Sequence, residues 1–190
     1  MRLGELFFKI RGYTPVPFLA VALIFAEPRK DLVIFGALLI AFGEFLRFSG
    51  VSYAGGATRT RNVGAPELVT NGPFAYIRNP LYLGNIFMYT GASILTGALL
   101  PYLMYIVIFF FGIQYKLIVK YEEATLLELF GEKYARYRSK VPGFFPRISA
   151  YPERTKIKAN IPGAIKSEKS TFIGIIGFSI LFMLRMYLFI

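Results

Sequence analysis

The chain contains neither histidine nor cysteine. Those residues supply the usual ligands of zinc, haem and iron–sulfur centres, the commonest general base and the thiol nucleophile. Metal and thiol chemistry, and any hydrolase or proton relay built on imidazole, are therefore outside its reach. Whatever chemistry it performs must run on Glu, Tyr, Arg, Asn and backbone groups. With no disulfide to place, the redox compartment is left open. Acidic residues are scarce too: 11 Asp and Glu face 22 Lys and Arg, a net charge of +11 in a chain with 17% charged residues. The first residues lack the basic, apolar and small-residue succession of a cleavable signal peptide.

What is plentiful is apolar. Hydrophobic residues make up 55% of the 190, with 20 Phe and 13 Tyr, and mean hydropathy is +0.52. That is far above the average soluble domain. A helix needs about 20 apolar residues to cross a bilayer core of about 30 Å. Four stretches approach that length: Leu32–Arg47, Pro80–Leu100, Tyr102–Val119 and Thr171–Ile190. A fifth, Tyr13–Ala26, is shorter and carries Pro15 and Pro17. The expectation is an all-α membrane protein, one domain over residues 1–190, with about five transmembrane helices (13–26, 32–47, 80–100, 102–119 and 171–190).

Glu27–Asp31 and the break between Thr96 and Pro101 are short enough to force antiparallel hairpins. The N-terminus and the polar stretches Phe48–Asn79 and Lys116–Ser170 then share one side. That side holds 19 of the 22 Lys and Arg, the other only Arg29 and Lys30. The positive-inside rule makes the rich side cytoplasmic, giving N-in and C-out, at the cell membrane if the source is prokaryotic. Arg185 can snorkel from the last span. The positive charge thus reads as topology plus attraction to anionic lipid, and no nucleic-acid motif competes with it. Glu44 and Arg47, three apart near the inner end of the second span, read as a local ion pair. Arg59–Pro73 reads as a surface loop.

Residues 72–85, GPFAYIRNPLYLGN, are too particular for a lipid-facing helix mouth. Asn79 and Pro80 are preferred residues for a helix N-cap and first helical position. The free N–H groups of such a helix start can hold an anion, and Arg78 adds charge beside it. Gly72 allows a tight turn, Tyr76 and Tyr82 offer rings and hydroxyls, and Gly84 permits close approach. The same residues also describe an interfacial belt, with Gly84 and Gly91 letting two helices pack.

A second constellation is KYEEATLLELFG, 120–131, followed by EKYARYRSKVP. The fourth span can continue through it and end near Gly131. Glu122 and Glu123 then sit about one turn beyond the membrane, next to an apolar cover of Leu126, Leu127, Leu129 and Phe130. Tyr134, Tyr137, Arg138 and Val141 make one face of a short helix that stops before Pro142.

Leu68–Gly84, Glu122-Glu123 and Phe130–Tyr134 with Tyr137, Val141 and Pro146 follow one another in an order and spacing that point beyond either motif alone. In them the sequence resembles the isoprenylcysteine carboxyl methyltransferase and phospholipid methyltransferase superfamily of integral membrane enzymes. That family often has His between the Arg and Pro of its first motif, where this chain has Asn79. The departure removes an imidazole contact and weakens any transfer of prenylcysteine specificity.

The resemblance implies S-adenosylmethionine as methyl donor, S-adenosylhomocysteine as product, and a helical cofactor region on the cytoplasmic side formed by 72–84 and 116–147. It implies cofactor binding by Gly72, Tyr76, Arg78, Asn79, Pro80, Tyr82, Leu83, Gly84, Glu122, Glu123, Tyr134 and Tyr137. Arg78, Glu123 and Arg138 are the implied catalytic residues. Methyl transfer from a sulfonium needs no metal, because the donor already carries the activated group. A helix start with Arg78 can take the methionine carboxylate, a glutamate the ribose or α-amino group, and aromatic or leucine side chains the adenine.

The acceptor would be a lipid or lipid-linked small molecule entering sideways from the bilayer. A carboxylate acceptor needs orientation by Arg78 or Arg138, whereas phospholipid head-group N-methylation needs a base such as Glu123 or a water relay. A non-catalytic membrane scaffold holding anionic lipid is the reading from another class. A transporter fits less well, since the spans lack repeat symmetry and a midplane charge cluster. Ile161–Glu168 and the last span carry no assigned chemistry.

Overall fold

The computed structural model describes residues 3–55 and 67–189. It contains the helices α1 (Leu3–Ile10), α2 (Val16–Ile24), α3 (Lys30–Ala54), α4 (Pro80–Thr96), α5 (Tyr102–Lys140) and α6 (Ile161–Phe189), and a 3-10 turn at Gly72–Ala75 before α4. Among the described residues there is no strand. Helices α3, α5 and α6 are long and apolar enough to cross a membrane. Helix α4 has 17 residues, about 25 Å at 1.5 Å per residue. Helix α2 has only nine, but its segment is tied in at two levels. Thr14 Oγ1 accepts a hydrogen bond from Gln114 of α5 at 3.0 Å, and the Glu27 N–H donates to the Thr96 carbonyl at the end of α4 at 2.9 Å.

The tightest packing is between α3 and α4, and glycine makes it possible. Gly36, Gly43 and Gly50 recur every seven residues on α3, and Gly84 and Gly91 do so on α4. A seven-residue repeat keeps one face toward an antiparallel neighbour. A Cβ at Gly43 would lie 2.5 Å from the Gly84 carbonyl oxygen, and one at Gly84 equally close to the Gly43 oxygen. Small residues that let backbones meet are how helices associate without a hydrophobic driving force between them.

Several boundaries differ from the sequence expectation. Helix α3 continues past Arg47 to Ala54. Its polar last turns stay helical because Ser52 Oγ donates to the Ser49 carbonyl at 2.7 Å and Gly50 rests on Leu81 of α4. Helix α6 begins ten residues before Thr171, at Ile161. Asn160 starts it, its Oδ1 accepting the Gly163 N–H at 2.9 Å, with Pro162 in the first turn. Gly131 does interrupt α5, at φ +50° and ψ −130°, after which helix resumes to Lys140. Of the expected loop Arg59–Pro73, residues up to 66 lie outside the described residues, as does Ile190 of the last span.

Two cores result. One, between the helices, gathers Phe8, Ala22, Leu103, Val107, Phe111, Tyr115 and Ile118. The other lies beyond the apolar part of α5 and gathers Leu68, Ala75, Tyr134, Tyr137, Val141 and Tyr151. A strap over residues 143–158 folds back onto it. The Arg147 N–H donates to the Tyr76 carbonyl at 3.0 Å, the Tyr151 N–H to Ala75 at 2.9 Å, and Asn71 Nδ2 to Ile157 at 2.6 Å.

Candidate active site

Where α4 starts and α5 leaves its apolar stretch, a cavity of about 1170 Å³ opens and extends along the helices to α6. Ligand pockets usually measure about 300–1,000 Å³, so this volume exceeds the usual single-ligand site. Its walls divide by chemistry. One half is lined by Arg78, Asn79, Pro80, Tyr82, Glu122, Glu123, Leu126, Tyr134 and Tyr137, the other by apolar residues such as Ile40, Ala92, Leu95, Ile175, Phe178 and Phe182.

Arg78 is a clasp. Its Nε and Nη2 reach Glu123 Oε1 at 2.9 and 2.8 Å, and its Nη1 donates to the carbonyls of Arg138, at 2.9 Å, and Val141. Its backbone N–H donates to the Pro142 carbonyl at 2.9 Å. A planar guanidinium with five donors suits this task, and Lys has no equivalent. Asn79 occupies the N-cap position, yet its side chain makes no capping bond. Its Nδ2 instead donates to the Gly143 carbonyl at 3.1 Å, a second stitch between the α4 start and the chain after α5.

The adjacent glutamates have separate surroundings. Glu123, 12% exposed, is held by Arg78 and approached by Arg138 Nε at 3.5 Å. Glu122 Oε1 accepts from the Tyr82 hydroxyl at 2.9 Å. Desolvation pushes the Glu122 carboxyl up to about 7; the Tyr82 hydrogen bond and Arg11 pull the other way, and Glu123 adds to the rise. Burial, reinforced by Glu123, raises the Tyr134 phenol, and burial together with Tyr134 raises Tyr137. Both stay neutral at physiological pH, and the Tyr137 hydroxyl donates to the Phe74 carbonyl at 2.7 Å.

Five expected site residues do not line this cavity. Gly72, at φ +57°, is pressed against the ring of Tyr53, and Tyr76 is 40% exposed. Gly84 faces Gly43 in the α3–α4 seam, the packing role its sequence also allowed. Leu83 is not on the cavity wall, and Arg138 reaches Glu123 with its own side chain half exposed.

The junction between the two halves holds a group that sequence reading had cut short. Arg47 Nη2 bonds both carboxylate oxygens of Glu168 at 3.0 and 2.9 Å, Nη1 bonds Asn85 Oδ1 at 2.6 Å, and Nε lies 3.5 Å from Glu44. Asn85 Nδ2 in turn donates to the Tyr115 hydroxyl at 3.1 Å, and Tyr115 stacks on Tyr82 at 4.7 Å. The Glu44–Arg47 pair is therefore part of a buried cluster that includes a partner 121 residues away. An acidic residue opening the apolar α6 was the available signal, since such residues pair and mark functional positions. Among the described residues no group of three Asp or Glu is placed to hold a metal ion.

The cavity thus brings charged residues from the start of α4 and from α5 onto the same wall as apolar residues of α3, α4 and α6. Residues 32–133 match the family model described as phospholipid methyltransferase, more than half of the chain, and the chain belongs to this family. Among its relatives, the protein-S-isoprenylcysteine O-methyltransferase of Schizosaccharomyces pombe is 28% identical over 149 residues, covering 76% of this chain and 61% of the relative. The human protein of that name is 28% identical over 129 residues, covering 62% and 42%. The cobalt-zinc-cadmium resistance protein CzcN of Cupriavidus metallidurans is 29% identical over 143 residues, covering 72% and 62%. The chain thus spans about three fifths or less of the length of these relatives.

Proposed function

We propose that this chain is an S-adenosylmethionine-dependent methyltransferase acting on a lipid or lipid-linked small acceptor. The observation that carries the reading is the two-part cavity, whose charged half is lined by the motif residues and whose other half is apolar. The family and the relatives' names point to the same class of reaction. The fold is read with five crossings, the short one over residues 13–26, and with the N-terminus and the charged half on the cytoplasmic side.

The donor-half residues fit such a cofactor. Glu122 offers a carboxylate to ribose hydroxyls or the α-ammonium, the neutral Tyr134 and Tyr137 with Leu126 offer an adenine slot, and the first turn of α4 offers backbone N–H groups to the methionine carboxylate. When bound, the cofactor supplies the activated methyl on its sulfonium. The chain's part is to align the acceptor atom in line with the S–CH3 bond and to exclude water. Arg78 holds Glu123 and the Arg138, Val141 and Pro142 carbonyls, so its contribution is to shape the donor half. Glu122, which changes charge near neutrality, is better suited than the doubly paired Glu123 to take a proton from an amine acceptor. That favours phospholipid head-group N-methylation as the second reading beside a carboxylate acceptor.

Titration of the purified, folded protein with S-adenosylhomocysteine by calorimetry tests the cofactor assignment. Incubation with labelled S-adenosylmethionine and a total membrane lipid extract, followed by mass spectrometry, identifies the acceptor. No binding by folded protein overturns the proposal. Salt-sensitive association with anionic vesicles without cofactor affinity would instead support a scaffold.

A further inference from the structure

A charged residue that is 0% exposed at the foot of an otherwise lipid-facing helix is costly, and Glu168 is one. Ala164 and Glu168, one turn apart, are the buried residues of α6, and the apolar window of that helix has no buried residue at all. Beyond Glu168 the inward face of α6 is only half-buried, against α3 and α2, and Thr171, Ile175, Phe178 and Phe182 lie on the cavity wall. With its start tied to Ser52 through Asn160 and the rest of it only half-buried, the rotation and lean of α6 depend on the polar contacts at its foot.

We propose that the Arg47–Glu168 ion pair fixes the rotation and lean of α6, and that these two residues are positioning residues for the acceptor half of the cavity. The proposal rests on the methyltransferase reading for the identity of the ligand, a lipid-borne acceptor, but not for the mechanical role. Buried ion pairs are weak sources of net stability, and their best-attested use is to fix one arrangement among several. This pair has the geometry for it. Arg47 is anchored on the α3–α4 seam through Asn85, and its Nη2, shared between both oxygens of Glu168, ties the foot of α6 to that anchor with a directional, charge-assisted contact. Arg47 reaches Tyr115 and Tyr82 only through Asn85, so disturbing the pair is expected to alter the acceptor wall more than the donor wall.

The test uses Glu168→Gln, which keeps shape and removes charge, and Glu168→Asp, which keeps charge. The chain has no cysteine, so Leu38→Cys on α3 and Ile180→Cys on α6 give a unique pair of spin-label sites for distance measurement in nanodiscs. Glu168→Gln is expected to broaden the distance distribution and to raise the acceptor KM about tenfold, the scale of a 1.4 kcal/mol loss. S-adenosylhomocysteine affinity should stay within about twofold, well under that scale, and Glu168→Asp should retain the narrower distribution. An unchanged distribution and KM in Glu168→Gln overturns the proposal, as does an equal loss of donor affinity. If the parent protein neither binds S-adenosylhomocysteine nor transfers methyl groups, the methyltransferase reading falls, while the spin-label comparison still decides the role of the pair.

Discussion

Arg78→Ala removes the clasp of the donor half. In the structure it deletes an ion pair whose side chains are 15% and 12% exposed, and two hydrogen bonds to the carbonyls of Arg138 and Val141. Removing one partner of a buried pair costs about 3–5 kcal/mol. Glu123 keeps Arg138 at 3.5 Å, but that arginine is half exposed, so the lower end, about 3 kcal/mol, applies to the region around the clasp. If the donor half must be assembled before it binds, S-adenosylhomocysteine affinity falls by about 100-fold, equivalent to 2.7 kcal/mol. Arg78→Lys keeps the charge but cannot span Glu123 and two carbonyls, so a loss of about tenfold is expected. Calorimetry in nanodiscs reads both affinities. Hydrogen exchange at 72–78 and 138–143 reads the clasp itself, including the Arg78 amide bonded to Pro142. Unaltered affinity and protection in Arg78→Ala would refute the reasoning, because the guanidinium would then be ornamental to the fold of this region.

Other expectations follow from the same geometry. Gly43→Ala places a methyl 2.5 Å from a backbone oxygen and should destabilise the protein by about 1–3 kcal/mol; Gly112→Ala, with nothing within 4 Å, should not, as thermal unfolding in detergent will tell. Glu122 holds its proton up to about pH 7 in the folded protein against 4.5 ordinarily. The folded state thus binds more protons between those values, and stability falls as pH rises through that window. A donor that needs the ionised carboxylate binds more tightly as pH rises through about 7, and a Glu122→Gln profile should be flat there. A profile shared by parent and variant rules out Glu122 as its origin. Ser139→Cys should label from the cytoplasmic side and Tyr102→Cys from the opposite one; the reverse pattern would invert the topology.

The parts of the fold legible in the sequence were those set by local chemistry. Asn79-Pro80 marked the start of α4, Thr96–Pro101 its hairpin, and Gly131 the break in α5, each from a residue whose backbone preferences leave few choices. The glycine seam was half visible, since Gly84 and Gly91 could serve packing or a ligand and only the α3 partner decides. Arg47–Glu168 could not be paired by inspection, because the folding of the 3-10 turn, α4 and α5 between them brings them together. Asn160 with Pro162 followed an ordinary helix-start rule, yet apolar content alone set the last span ten residues late. The donor-site residues divide likewise. Tyr82 and Glu122 face each other as helix positions allow, whereas the bonds that Arg78 makes to the Arg138, Val141 and Pro142 carbonyls have no signature in sequence.

The strap over residues 143–158 gives the molecule a timetable. It lies on 71–76, and three residues after Ile157 it reaches Asn160, whose N–H donates to the Ser52 carbonyl at 2.7 Å as α6 begins. The strap and the start of α6 are thus a single run of backbone, tied to Ala75 at one end and to Ser52 at the other. They should therefore open together, and hydrogen exchange at the Tyr151 and Asn160 amides should follow one schedule.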